Sequence, residues 1–131
     1  MATKNNTINI TACDNEIIIL AYQDIAGSEV SFELCRVSSG FNYSVAVNLT
    51  LAAGPYKDSL VLNGVSGPLS KTATLYLPAG PYKLLLMGIN WGGGQQFVID
   101  VNGTTHGILK YQPTPGAEGL TYHSSPIAIS V

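Results

Sequence analysis

The stretch "YSVAVNLTL", Tyr43 to Leu51, decides the fold class of this chain. Large apolar residues occupy every second position of it, and small or polar residues fill the positions between them. This period of two is typical of a β-strand that has one face buried and the other in water. The same alternation recurs around Phe32, around Ile99 and around Ile129. The sequence therefore predicts an all-β protein.

Turn-forming residues separate the alternating stretches at short and regular intervals, as they do in an all-β sandwich or barrel. We expect one domain over residues 1–131, built as an antiparallel β-sandwich of eight to ten strands, for which a jelly roll is one candidate topology. The predicted strands are Thr7 to Ala12, Glu16 to Tyr22, Glu29 to Val37, Tyr43 to Leu51, Tyr56 to Leu62, Thr72 to Leu77, Tyr82 to Ile89, Gln95 to Asn102, Thr105 to Tyr111 and Pro126 to Val131.

The composition supports a folded domain and argues against nucleic acid as a partner. Of the 131 residues, 46% are hydrophobic and only 11% are charged, so the chain carries enough apolar material for one core. The six basic residues are scattered singly and the formal net charge is −2. No basic stripe is therefore expected that could neutralise a phosphate backbone.

Two continuous apolar runs interrupt the alternation, "IIILA" from Ile17 to Ala21 and "LLLMGI" from Leu84 to Ile89. Both are far shorter than the roughly 20 residues that span a bilayer, so no transmembrane segment is predicted. The first ten residues, "MATKNNTINI", lack the apolar region of a secretory signal. A cytoplasmic location, export by a route that needs no signal, and a mature form with a replacement Met all remain open.

The word "AGPYK" occurs twice, at Ala53 to Lys57 and at Ala79 to Lys83. Each copy could contribute half of a duplicated ligand site, or each could be a tight hairpin corner between two strands. Glycine and proline have backbone reasons to stand at a corner, which favours the second interpretation. The Asn-Gly words in "LNGV", Leu62 to Val65, and "VNGT", Val101 to Thr104, predict two further hairpins.

The segment "LYLPAGPYKLLLMGINWGGGQQFVIDVNG", Leu75 to Gly103, resembles the central part of β-sandwich carbohydrate-binding modules and galactose-binding-like small lectins. In such domains a strand leads into Ala-Gly-x-Tyr, an Asn-containing loop follows, and the next strand ends in Val-Asn-Gly. The resemblance implies a sandwich fold and a sugar site. It places Asn90 and Trp91 at positions comparable to loop residues that contact sugar.

The candidate ligand-binding residues lie in and after the same loop. Trp91 is the only Trp and stands before three glycines, which let a ligand approach the backbone closely. Its ring could stack on a pyranose while the amides of Asn90 and Gln95 bind hydroxyl groups. Tyr122 and His123, after the Gly- and Pro-rich loop Gln112 to Thr121, form a second candidate group. A loop plug or a subunit contact is the alternative role for Trp91.

Cofactor and catalytic patterns are weak. Cys13 and Cys35 are too few for a zinc site, and free buried thiols are favoured over a disulfide. The word "CDNE", Cys13 to Glu16, together with Asp100 and Asn102, offers oxygen ligands for calcium but lacks an EF-hand spacing. No nucleophile, metalloprotease or phosphate-loop motif is present, so we expect neither a cofactor nor an enzyme.

Three hypotheses follow. The first is a non-enzymatic, lectin-like protein whose end loops bind carbohydrate and whose weak sites gain avidity in a homo-oligomer. The second is a self-assembling structural subunit, which the low charge and apolar composition would suit. The third is a membrane-active toxin subunit.

Overall fold

The computed structural model describes residues 5–23, 30–40, 44–64, 69–112 and 118–131. Within these ranges the chain forms eleven strands and no helix, which confirms the all-β sandwich. The strands are β1 Asn6–Cys13, β2 Asn15–Gln23, β3 Val30–Gly40, β4 Ser44–Ala53, β5 Leu60–Asn63, β6 Leu69–Leu77, β7 Pro81–Asn90, β8 Gln95–Val101, β9 Thr104–Gln112, β10 Gly119–His123 and β11 Ile127–Ser130.

The strands form two sheets. One has five strands in the order β6-β4-β1-β8-β9, and the other has six, in the order β10-β7-β2-β3-β5 with β11 also paired to β7. β10 and β11 share one edge of β7, and the Ser124 N–H donates to the Leu86 carbonyl between them. Two of the pairs, β4 with β6 and β3 with β5, are parallel, whereas the sequence predicted an antiparallel sandwich.

The repeated word explains the parallel pairs. Each copy carries the chain from the five-stranded sheet to the six-stranded sheet, from β4 to β5 and from β6 to β7. Because β4 and β6 both leave their sheet at the same end, they run in the same direction, with Ala53 opposite Leu77. The two copies are therefore crossings between sheets, and the prediction of hairpin corners is wrong.

The two glycines of the word are required for different reasons. A Cβ at Gly54 would lie 2.7 Å from Cδ1 of Tyr76, so a side chain there would press on that ring. Gly80 has a φ of 148°, in the region that favours glycine. The two tyrosines behave alike, since Tyr56 Oη donates to the Glu33 carbonyl and Tyr82 Oη donates to the Pro78 carbonyl. Each word is thus anchored by its own phenol.

Local predictions succeed where a turn joins neighbours in one sheet. Asn102 and Gly103 have positive φ angles of 51° and 88° and close the β8–β9 hairpin as predicted. The "LNGV" word is not a hairpin, because β5 and β6 lie in different sheets; its Val65 is outside the described residues. The first three residues of β10 fall in the loop predicted from Gln112 to Thr121, and the strand predicted from Tyr56 begins only at Leu60, since the crossing occupies the residues before it.

One hydrophobic core lies between the sheets and is formed by the inward-facing residues of both. Phe97 of β8 is fully buried, and its ring lies against Gly88 of β7, where a Cβ would come within 2.9 Å of three ring atoms. Cys13 and Cys35 are buried free thiols, as favoured from the sequence. None of the described segments forms a helix with the length and apolar character that a bilayer crossing requires.

Candidate functional site

Residues 91–94, which link β7 to β8, form a glycine loop at one end of the sandwich. Gly92 and Gly93 have φ angles of 122° and 80°, which side chains other than glycine adopt only with strain. Asn90 braces the loop from inside, because its Nδ2 donates to the Gly93 carbonyl and its Oδ1 accepts from the Gly92 N–H. The sequence "NWGGG" therefore builds a defined loop.

Trp91 is presented outward by this loop. Its side chain is 47% exposed, while its backbone N–H donates to Oδ1 of Asn15 at 2.8 Å. Asn15 itself has a positive φ of 69° at the β1–β2 crossing, so two adjacent connections are tied together beneath the indole. The ring is available to a ligand although its backbone is fixed.

The other predicted site residues do not converge on Trp91. Asn90 is fully buried and Gln95 is 8% exposed, and Gln95 Oε1 accepts a hydrogen bond from Thr121. Tyr122 is half-buried and stacks on Phe97 with ring centroids 6.5 Å apart. Asn90 therefore supports the loop from within, and Gln95 connects β8 to β10.

Tyr122 and His123 also point to different places. Burial raises the pKa of the Tyr122 phenol, as expected for a side chain that faces the core. His123 is exposed and pairs with Met87 on the outer face of the six-stranded sheet, away from the glycine loop. The two consecutive residues therefore lie on opposite faces of β10.

Two residues outside the predicted set lie beside the loop. A side chain at Gly94 would overlap the Tyr111 hydroxyl, and a Cβ at Gly92 would lie 3.5 Å from Oε1 of Glu118. Tyr111 precedes the Gly- and Pro-rich loop Gln112 to Thr121, and Glu118 lies within it; residues 113–117 of that loop are outside the described part. The composition of that loop was the sequence signal for a functional surface. The spacing of residues along the chain could not show that Tyr111 and Glu118 lie beside the Trp91 loop.

A buried carboxyl group lies under the same end of the sandwich. The Asp14 N–H donates to the Gln96 carbonyl, and Oδ2 of Asp14 has no hydrogen-bond partner in the part of the chain that is described. Burial raises the pKa of this carboxyl to about 6. Asp14 therefore changes charge close to neutral pH.

The described residues offer little for metal or covalent chemistry. They contain no group of three or more His, Cys, Asp and Glu residues that could hold a metal ion. Asp14 and Asp100, considered together for calcium, lie at opposite ends of the five-stranded sheet. Burial raises the pKa of the Cys13 and Cys35 thiols to about 12, which keeps them protonated and poorly nucleophilic.

The arrangement is suited to recognition. It combines an exposed indole, an exposed phenol and a carboxylate around a loop whose Gly93 has open space in front of it. Comparison of the chain with family models, with curated proteins and with solved structures finds no match.

Proposed function

We propose that the protein is a non-enzymatic, lectin-like protein that binds carbohydrate at the end of the sandwich formed by residues 91–94. The observation that carries this proposal is the exposed Trp91 ring on a loop held by Asn15 and Asn90. An exposed aromatic face can stack on the apolar face of a pyranose, and a backbone that is already fixed loses little conformational entropy on binding.

Tyr111 and Glu118 form the hydrogen bonds to sugar hydroxyl groups that the sequence analysis predicted for Asn90 and Gln95. A carboxylate accepts hydrogen bonds from sugar hydroxyls, and a phenol can donate or accept. Both groups lie against glycines of the Trp91 loop, so a ligand on the indole would be within their reach. Asn90 acts by keeping the loop in shape, and Gln95 holds β10 against β8.

A glycan array followed by calorimetric titration tests the proposal. We expect Trp91→Ala to weaken binding of the best glycan by about fivefold or more, because stacking contributes roughly 1 kcal/mol or more. Glu118→Gln should weaken binding and change the preference among glycans, because a carboxylate and an amide differ in the hydrogen bonds they form.

Tyr76→Ala is the matched control, since Tyr76 is also an exposed aromatic residue but lies at the opposite end of the sandwich. Its binding should equal that of the parent protein. Absence of any bound glycan, or undiminished binding by Trp91→Ala, would overturn the proposal. Because one such site binds weakly, a homo-oligomer that gathers several sites belongs to the proposal.

A further inference from the structure

The outer face of the six-stranded sheet is apolar, which is unusual for a sheet face that no other described strand covers. In β2 and β7 the residues that point away from the core include isoleucine, leucine and methionine, all partly exposed. Leu120 of β10 extends the same surface and is 56% exposed. We call this surface the outer apolar face; its apolar residues on β2, β7 and β10 are Ile18, Leu20, Tyr22, Leu85, Met87, Ile89 and Leu120.

The pairing registers fix the arrangement of this face. Ile18 lies opposite Met87, and Leu20 lies opposite Leu85, so the four form a central block. The block is bounded on the β3 side by charged residues, because Arg36 is opposite Ile18 and Glu33 is opposite Leu20. Glu16 and Lys83 stand at its two ends, opposite Ile89 and Tyr22. These positions show which residues of the face would meet if a second copy of the face were laid on it.

We propose that two copies of this chain pair through their outer apolar faces, related by a two-fold axis. The axis lies in the interface between the two copies and runs perpendicular to the strands. It passes over the row in which Leu86, Ile19 and Cys35 are paired. Such an interface is isologous, so each contact occurs twice. The rotation reverses each strand end for end and sets the central block of one copy on that of the other.

The charges on the face are self-complementary under this rotation. Arg36 and Glu33 lie on β3, one on each side of the axis. The rotation therefore places each Arg36 opposite the Glu33 of the second copy. Lys83 comes beside the Glu16 of the second copy, because the two residues stand at opposite ends of neighbouring strands. Within the described residues Lys83 has no ion pair, while Arg36 lies 2.8 Å from Glu33 and 3.6 Å from Glu16 of its own chain.

The shape of the face is complementary as well. Leu120 protrudes at one end of the β7 edge, and at the other end a groove of about 190 Å³ lies among Tyr22, Lys83 and Ala128. The rotation places the Leu120 side chain of each copy over the groove of the other, because β10 and β11 share that edge of β7. An exposed leucine would then enter an apolar recess.

The area is sufficient for a stable pair. Five strands spaced about 4.8 Å apart and seven residues rising about 3.4 Å each give a face of roughly 24 Å by 24 Å. Two such faces bury on the order of 1,100 Å², and specific interfaces start near 1,000 Å². A second copy suits the face better than hydrocarbon does, since hydrocarbon would take the charges of Glu16, Arg36 and Lys83 out of water and would offer Lys83 no carboxylate.

Sedimentation velocity over low to high micromolar concentrations tests the pairing. We expect the wild-type protein to reach twice the 13.8 kDa of one chain. Met87→Glu and Leu120→Glu place a charge inside the interface and should weaken the pairing about a hundredfold or more. Leu109→Glu is the matched control, because Leu109 is equally exposed, on β9 of the other sheet, and should leave the pairing unchanged.

A charge exchange tests the geometry and does not depend on apolar contacts. Lys83→Glu and Glu16→Lys should each weaken the pairing about tenfold, and the double variant should restore it. Glu16 and Lys83 of one chain stand six positions apart along the sheet, about 20 Å, so the restoration can only arise between chains. Circular dichroism confirms that each variant is folded.

The outcomes are distinct from those of the sugar experiment, because sedimentation measures the pairing with no glycan present. A wild-type protein that stays monomeric at high micromolar concentration would overturn the pairing. So would a Leu109→Glu protein that dissociates as readily as Met87→Glu, or a double charge variant as weak as its parents. Monomers that bind phosphatidylcholine vesicles only while Met87 is intact would assign the face to membrane lipid instead.

Discussion

The two sheets of the sandwich share one core but differ on the faces turned away from it. The outer face of the five-stranded sheet carries Thr7, Asn9, Asn48 and Thr50, as expected for a surface in water. The outer face of the six-stranded sheet carries isoleucine, leucine and methionine at the equivalent positions. Strands that are apolar on both faces are typical of sheets covered on both sides, so the difference points to a partner on one face only.

The largest effect that tests this difference comes from two neighbours in β2. Ile19 is fully buried in the core, and Ile18 lies on the outer apolar face. We expect Ile19→Ala to lower the free energy of unfolding by about 2–5 kcal/mol, because it leaves a cavity in the core. Ile18→Ala should cost about 1 kcal/mol or less when no partner covers it.

Urea denaturation of both variants in the Met87→Glu background measures the difference, since the proposed pairing is broken there. An Ile18→Ala cost equal to that of Ile19→Ala would mean that Ile18 is covered within a single chain. In that case the outer face of the six-stranded sheet would not be an exposed apolar surface.

A smaller effect tests the connection between the two sheets. Asp14 lies at the β1–β2 crossing, and burial raises the pKa of its carboxyl from 3.8 to about 6. The folded state therefore holds this proton more tightly than the unfolded state does. Ionisation of Asp14 therefore destabilises the folded state. This destabilisation is absent below about pH 4, grows as the pH rises through 4–6, and is complete above about pH 6.

Two pKa units limit this destabilisation to about 3 kcal/mol. Asp14→Asn should raise the melting temperature at pH 7.5 and leave it nearly unchanged at pH 4, because the amide carries no charge. Calorimetry at the two pH values measures this. Equal changes at both values would show that folding does not shift the pKa of the Asp14 carboxyl.

The smallest effect on stability comes from making the two outer faces alike. Asn9 of β1 and Asn48 of β4 are cross-strand partners on the polar face. The double variant Asn9→Ile, Asn48→Ile should change the free energy of unfolding by about 0.5 kcal/mol or less, as other surface substitutions do. It should nevertheless add assemblies larger than a dimer in light scattering, because both faces would then be apolar.

The matched control for this last experiment is Asn9→Thr, Asn48→Thr, which keeps a polar face and the β-branched shape. It should behave as the wild-type protein does. A double isoleucine variant with unchanged mass at high micromolar concentration would show that an apolar face on this scaffold is insufficient for association.

Much of the fold could be predicted from local patterns, and much of the candidate site could not. Alternation identified the core-facing residues of β4 and β8, and Asn102-Gly103 identified a hairpin, because these features depend on neighbours in the chain. Asn90 and Gln95 were predicted to face a ligand, yet both are buried, where Asn90 bonds to the loop and Gln95 accepts from Thr121. Their hydrogen-bond partners are set by the path of the folded loop, which residue type does not reveal.

The sequence by itself determined the class of fold, the residues of the core and the two strands that are apolar on both faces. These follow from side-chain periodicity, since a β-strand sends alternate residues to opposite sides whatever its neighbours are. Only the tertiary structure decided that both copies of "AGPYK" cross between sheets, and that Tyr111 and Glu118 return to Trp91. Sheet membership and the meeting of distant loops depend on pairing between strands far apart in the chain, and periodicity carries no record of which strands pair.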